Sequence, residues 1–274
     1  FVARFARRSS SAIRSAICSE RRWRRGLGCG GTCLLPPCRA PNWLEDALML
    51  NKDETRNLYR RRAKRYDLSI QLYRLFGFEM DRYRQDAISA LGLAPGDQVV
   101  ELGCGTGLNF EYVQRIIGPK GKIVAVDLTD AMLDVARWRV AREHWTNVEI
   151  VQADLAEWQF PVGVSAVYSM FAITLVPEYD AIIERASGAL RPGGTLAILD
   201  MKEPEHWPTW LIKLAVWLNK PFGVSLDLAD RHPWESIGRH LRQTEYKEYY
   251  FGAIYVCAGK KRPTEPLTGP ATHG

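Results

Sequence analysis

The seven residues Glu101-Leu-Gly103-Cys104-Gly105-Thr106-Gly107 constrain the fold more than any other stretch of this chain, because of what stands on either side of them. Before them, residues 98–102 form a short apolar run that reads as a buried strand. After them, 109–117 carries the spacing of an amphipathic helix. Glycines at alternate positions between a strand and a helix let backbone amides and a helix N-terminus approach a nucleotide-like ligand. The alternation then repeats. Residues 122–128 predict a second strand, 131–145 a crossover helix, 148–154 a third strand and 165–171 a fourth. Residues 178–194 read as a helix closed by glycines before a fifth strand at 195–201. Strand, helix, strand in this order means a parallel sheet with helices on both faces. The end departs from the pattern. After a short helix at 234–241, the runs 244–251 and 253–261 are separated by Gly252 alone, and so short a connection joins only antiparallel strands. The predicted architecture is an α/β, doubly wound, Rossmann-like sheet of seven strands, mostly parallel, with a C-terminal antiparallel hairpin.

Charge has to be located before it is interpreted. The net charge is +6, but residues 1–43 alone contribute +8, with nine arginines and a single acid, Glu20, so the remainder stands at −2. A near-neutral body gives no nucleic-acid footprint. The segment 1–43 is rich in Arg and Ser and poor in acids, as organelle transit segments are, and it reads equally well as a disordered basic extension. The domain is expected over 44–262 and a flexible tail over 263–274. Four cysteines lie in the first segment without the paired spacing of a zinc site. Cys104 and Cys257 sit in apolar surroundings that suit reduced thiols, so no metal is expected. No run reaches the ~18 apolar residues of a membrane span. An intracellular location is expected, cytoplasmic or, if the first segment is a transit peptide, mitochondrial.

Two acids extend the glycine loop into a site. Asp127 ends the second strand, where a carboxylate can accept from both hydroxyls of a ribose, and Asp154 ends the third, placed for the amine of an adenine. Leu108, where a dinucleotide fingerprint wants a small residue nearby, leaves less room for a pyrophosphate. A ligand with a cationic amino-acid tail suits Glu101 instead.

These motifs resemble the class I S-adenosylmethionine-dependent methyltransferases. VVELGCGTG (99–107), VAVDL (124–128), QAD (152–154) and LRPGGTLAILD (190–200) are similar to that family's motifs, and RRAKRYDLSIQLYRLFG (61–77) resembles the leading helix of the ubiquinone/menaquinone-biosynthesis and phospholipid N-methyltransferase-like group. The resemblance implies S-adenosylmethionine as methyl donor. Gly103, Cys104, Gly105, Thr106 and Gly107 would surround its methionine and ribose, with Glu101 orienting the amino group or a water on it. Asp127 would clamp the ribose, with Leu128 and Met132 beside the adenine, and Asp154 and Leu155 would touch the adenine edge. For the three apolar side chains plain core packing is an equal reading, and for the aspartates a helix N-cap is the alternative.

The acceptor side is less legible. Residues 169–179 lack the Asp/Asn-Pro-Pro-aromatic motif of enzymes that methylate amino groups of nucleic acids and proteins. Tyr66 and His232 are the candidate catalytic residues; Tyr73, Phe171, Trp210 and Arg231 are candidate substrate contacts. Tyr66 reads otherwise as core and His232 as a turn residue before Pro233. Residues 207–220 concentrate tryptophans and aliphatics with Lys213 and Lys220, the composition of a helix that lies in a lipid headgroup layer or of one that is simply buried. The expected activity is methyl transfer to a small or lipid-like acceptor, preferably at nitrogen. Carbon methylation of a polyprenylated quinone precursor is the competitor, and a nucleoside-binding scaffold or a nicotinamide-dependent oxidoreductase are readings of another class.

Overall fold

Successive residues of the central strands part to opposite sides of one sheet. Val99, Ile123 and Ala125 pack into one apolar layer, and Val100, Leu102, Val124 and Val126 into the other. That is the period-two consequence of pleating in strands buried on both faces. The computed structural model describes residues 52–72, 77–219 and 230–263, all within the unit spanning 43–274. In chain order the elements are α1 (Lys52–Leu72), α2 (Met80–Ala90), β1 (Gln98–Leu102), α3 (Phe110–Ile117), β2 (Lys122–Asp127), α4 (Asp130–Arg142), β3 (Val148–Gln152) and β4 (Val164–Met170). A 3₁₀ turn (Ile173–Leu175), α5 (Tyr179–Ala189), β5 (Leu190–Met201), α6 (Thr209–Asn219), α7 (Pro233–His240), β6 (Arg242–Tyr249) and β7 (Ile254–Lys260) complete the list of described elements.

The seven strands are ordered β3-β2-β1-β4-β5-β7-β6. β1 to β5 run parallel, and β7 is antiparallel to both β5 and β6, from Ile198↔Cys257 to Tyr246↔Cys257 at the centre of the register. The predicted terminal hairpin is thus present. Helices α2, α3 and α4 supply one face through Tyr83, Phe110 and Leu133; α5 and α7 supply the other through Ile182, Ile183 and Ile237. Strand order reverses between β1 and β4, which opens a crevice at the carboxyl edge of the sheet.

One expectation changes in detail. Residues 191–194 do not close α5: β5 starts at Leu190, opposite Val164, and the ladder shifts register before Thr195 pairs with Ala166, so Arg-Pro-Gly-Gly is accommodated as an irregularity within the strand. Gly77 stands at φ +82° between α1 and α2. Cys104 and Cys257 are buried free thiols. Among the described residues no helix is long and apolar enough to cross a membrane. The segment 1–43 and Tyr73 lie outside the described residues.

Candidate functional site

At the crevice, the loop after β1 closes back on β2. Gly103 and Cys104 donate their amides to the carbonyl of Val126 at 2.8 and 3.1 Å, so the first turn of the loop is tied to the neighbouring strand. A Cβ on Gly103 would lie 2.3 Å from the Cβ of Ala172, and the residue has φ +69°. Gly105, at φ +53°, has nothing within 4 Å of where its Cβ would be, and its backbone faces open space. The two glycines serve different needs: one allows β1 and the β4 turn to approach, the other leaves a bare backbone surface for a ligand.

That surface belongs to a cavity of about 530 Å³. Gly103, Cys104, Gly105 and Thr106 form its floor, and Asp127, Leu128, Met132, Asp154 and Leu155 line it from the ends of β2 and β3. Met170, Phe171, Ala172, Leu175, Val176 and Pro177 make an apolar wall after β4, and α1 and α2 add Arg56, Tyr59, Tyr66 and Arg84. The described structure therefore brings together nine of the eleven expected donor contacts. Gly107 and Glu101 are not on the wall. Gly107 is buried, and a Cβ there would meet the ring of Phe110 at 2.4 Å, so its role is to let the loop pack on α3.

Glu101 points into the layer beneath the loop. It is fully buried and accepts from Asn109 Nδ2 and from the Tyr168 hydroxyl, each at 2.7 Å. Burial pushes its carboxyl up to about 7, against the lowering effect of those two donors. Glu101 itself does not line the cavity; Asn109, which donates to it, does, with Oδ1 buried without a partner.

Asp127 places one oxygen 2.9 Å from the Gly105 amide and the other 2.8 Å from that of Thr129. Burial raises its carboxyl pKa, and those backbone donors oppose the rise. The carboxylate thereby couples the glycine loop to the start of α4 and still faces the cavity. Asp154 accepts from the Ala156 amide at 2.9 Å, which shapes the turn after β3. Each aspartate has a local backbone role and a cavity-facing position, and neither is a helix N-cap: Thr129 holds that place for α4, and a turn follows Asp154.

Helix α1 roofs the cavity. Asp67 receives the Thr106 hydroxyl and the Arg139 guanidinium, both at 2.6 Å, while Arg139 also reaches the carbonyl of Thr106 at 3.0 Å. Arg60 pairs with Asp130 at the head of α4. These links place Tyr59 and Tyr66 over the glycine loop. Burial pushes the Tyr66 phenol up to about 12, further from the range in which a general base works at neutral pH.

Of the other expected acceptor-side residues, only Phe171 reaches the cavity among those described. It sits at φ +57°, strained for a side chain of its size. Its turn is fastened from two sides: Asp200 accepts from the Thr174 amide at 3.1 Å, and Arg231 donates to the Thr174 carbonyl at 2.7 Å. Arg231 consequently supports the wall from behind. His232 does not line this cavity; it stands at the head of α7 with Nδ1 3.4 Å from Glu235 and its ring against Trp234. Trp210 is 66% exposed on α6 and does not line the cavity.

Arg84 escaped the sequence reading. It falls on the buried stripe of α2 with Met80, Tyr83, Ala87 and Ile88, and a charge at a core position of an amphipathic helix is the signal that could have found it.

Comparison with known proteins agrees with this geometry. Residues 99–194 match the family model described as a methyltransferase domain. The chain is 33% identical over 197 residues to a trans-aconitate 2-methyltransferase of Rhodopseudomonas palustris, covering 70% of each. It is 33% identical over 146 residues to the ubiquinone/menaquinone biosynthesis C-methyltransferase UbiE of Pseudomonas putida, covering 53% of this chain and 56% of that one. A geranyl diphosphate C-methyltransferase from Streptomyces coelicolor shares the fold with a TM-score of 0.54 at 14% identity, over 66% of this chain and 79% of that one. Several curated relatives are matched over only 56–61% of their length. Strand order, a glycine loop joined to the acid that ends β2, and a relative matched over most of its length all lead to one family: the chain belongs to the class I S-adenosylmethionine-dependent methyltransferases.

Proposed function

We propose that this protein transfers the methyl group of S-adenosylmethionine to a small or lipid-like acceptor. The observation that carries the reading is one cavity with two unlike halves. A bare glycine backbone with Asp127 and Asp154 offers hydrogen bonds to a nucleoside, and the wall from Met170 to Pro177 offers apolar surface to an acceptor. The donor residues fit the group: Gly105 leaves open space above its backbone, and Asn109 presents an unsatisfied oxygen to a ligand ammonium.

Transfer from a sulfonium is an in-line displacement with an activated leaving group, so the protein's work is alignment and exclusion of water. Asp127 and the glycine loop would hold the donor, Phe171 and its neighbours would orient the acceptor, and Tyr59 and Tyr66 on α1 would close the space. Expectation of a nitrogen target finds no support in the comparisons. Two of the named relatives methylate carbon by their titles, and the buried guanidinium of Arg84 in the cavity wall is unfavourable to a cationic amine. Carbon or oxygen is therefore better supported than nitrogen as the target.

A peripheral membrane contact through 207–220 fits the same reading. Trp210, Leu214 and Trp217 recur at i, i+4 and i+7 on α6 and are exposed, and α6 contains no acid. An apolar stripe bordered by tryptophan suits a headgroup layer, where a lipid-like acceptor would be met. The test is calorimetric titration of the full chain with S-adenosylmethionine and S-adenosylhomocysteine, with Asp127→Ala as control, followed by labelled methyl uptake into quinols and aminolipids. Micromolar binding lost in the control supports the reading; a folded chain that binds neither nucleoside sinks it.

A further inference from the structure

No helix or strand is described between β3 and β4, so the shape of the chain there rests on individual hydrogen bonds. Asp154 opens a single turn. Its carbonyl accepts from the amides of Glu157 and Trp158 at 3.0 and 2.9 Å, and its Oδ1 accepts from that of Ala156 at 2.9 Å. One turn of chain cannot satisfy its own last carbonyls, and a cation is a suitable partner for them. Arg185 on α5 is that partner: Nη2 donates to the Leu155 carbonyl at 2.6 Å and Nη1 to the Trp158 carbonyl at 3.0 Å. The same guanidinium stands 5.7 Å over the ring of Phe160, which packs on Trp158 with ring centroids 4.9 Å apart. Among the described residues the hydrogen bonds of Arg185 go to these two carbonyls.

A planar guanidinium carries its donors in a rigid fork, so two carbonyls three residues apart are held in one relation to each other and to α5. The turn so held is the one that supplies Asp154 and Leu155 to the cavity, while Arg185 lies outside the cavity lining. We infer that Arg185 is a positioning residue for the base of the donor: by fixing the Leu155 and Trp158 carbonyls it sets the Asp154 carboxylate and the Leu155 side chain against the base edge, and thereby determines how sharply adenine is told from another purine. The inference rests on the function proposed above. The chemistry is that of one exocyclic group. The amine of adenine donates to a carboxylate, whereas the carbonyl oxygen that hypoxanthine carries at the same place meets it oxygen against oxygen. Such discrimination depends on where the carboxylate stands, because a polar group displaced from its partner gains little from either base.

S-adenosylhomocysteine and S-inosylhomocysteine differ in the base alone, and calorimetric titration of both into the full chain reads the preference directly. The wild type is expected to favour the adenine ligand by about tenfold or more. Arg185→Met should weaken S-adenosylhomocysteine and 5′-methylthioadenosine by the same factor, about five- to tenfold, and leave S-inosylhomocysteine nearly unchanged. Its preference then falls toward that of Asp154→Asn, in which an amide can serve either base, and Arg185→Lys, which can hold one carbonyl at a time, lies between. The preference is a ratio taken within one protein, so a general loss of stability cancels from it. Should Arg185→Met fail to fold, Arg185→Lys carries the test: a reduced ratio supports the inference and a wild-type ratio overturns it. Equal weakening of all three ligands in Arg185→Met, or no change in any, overturns the inference and leaves Arg185 a structural clamp. So does a wild type that binds S-adenosylhomocysteine without preferring it, or a preference that survives in Asp154→Asn. A wild-type chain that binds none of these ligands overturns the function proposed above, and this inference with it.

Discussion

Glu101 and Gly103, two positions apart in one motif, do different physical work. Gly103→Ala would force a side chain into φ +69° and against Ala172. A loss of about 2–3 kcal/mol in chemical denaturation is expected, with weaker donor binding because the β4 turn must yield. Glu101 acts from below. Its folded carboxyl titrates at about 7 against an ordinary 4.5, so the native state binds more protons than the unfolded one in that interval. Stability contributed by this group is therefore lost as pH rises from about 4.5 to 7, by up to about 3 kcal/mol. Asp200, pushed up to about 6 by burial, adds a loss of the same sign. Glu101→Gln should flatten the decline in melting temperature across that range; an unchanged slope would show that Glu101 does not titrate there. Much of this scale was legible beforehand, since the glycine spacing and the acids ending β2 and β3 are local features. Arg84 was not, because burial of a charge on α2 depends on the elements packed against it.

At the scale of elements, the decisive contact is α1 on the glycine loop and α4. Asp67 carries it by accepting from Thr106 and Arg139 together. Asp67→Ala should cost about 1–2 kcal/mol, with both donors left in partly buried surroundings. Hydrogen exchange over 52–72 should rise while that of β1 and β4 stays low. Equal protection of α1 in the variant would show that apolar packing alone holds the helix. The resemblance of 61–77 to a leading helix points to a helix here, but nothing in those residues read in order says that it lies over the donor loop. The misplaced end of α5 has a similar origin: Pro192, Gly193 and Gly194 signal a terminator, and only pairing of Leu190 with Val164 makes them part of β5.

For the molecule as a whole, the three most exposed aromatics among the described residues lie on two elements, with Trp138 on α4 at 58% the next. Trp210 and Trp217 stand 66% and 69% exposed on α6. Phe251, at φ +55°, is 84% exposed at the turn between β6 and β7, and Trp207, just before α6, lies 6.3 Å from Tyr250 in that turn. If this surface meets lipid, the full chain should co-sediment with phosphatidylcholine vesicles, and a Trp210→Ser, Trp217→Ser, Phe251→Ser variant should lose most of that binding while retaining its affinity for S-adenosylhomocysteine. Equal sedimentation of both proteins would remove the membrane contact and leave the cavity reading intact. Sequence by itself determined the sheet class, the terminal hairpin and the donor loop, because strand and helix periods, turn residues and glycine spacing are properties of neighbours along the chain. Tertiary structure alone decided that His232 and Arg231 stand outside the cavity, that Glu101 lies beneath the loop holding Asn109, and that Arg84 is buried with Asp81 3.9 Å away. Burial and partnership depend on residues brought from distant elements, and a single chain read in order contains no record of which ones will meet.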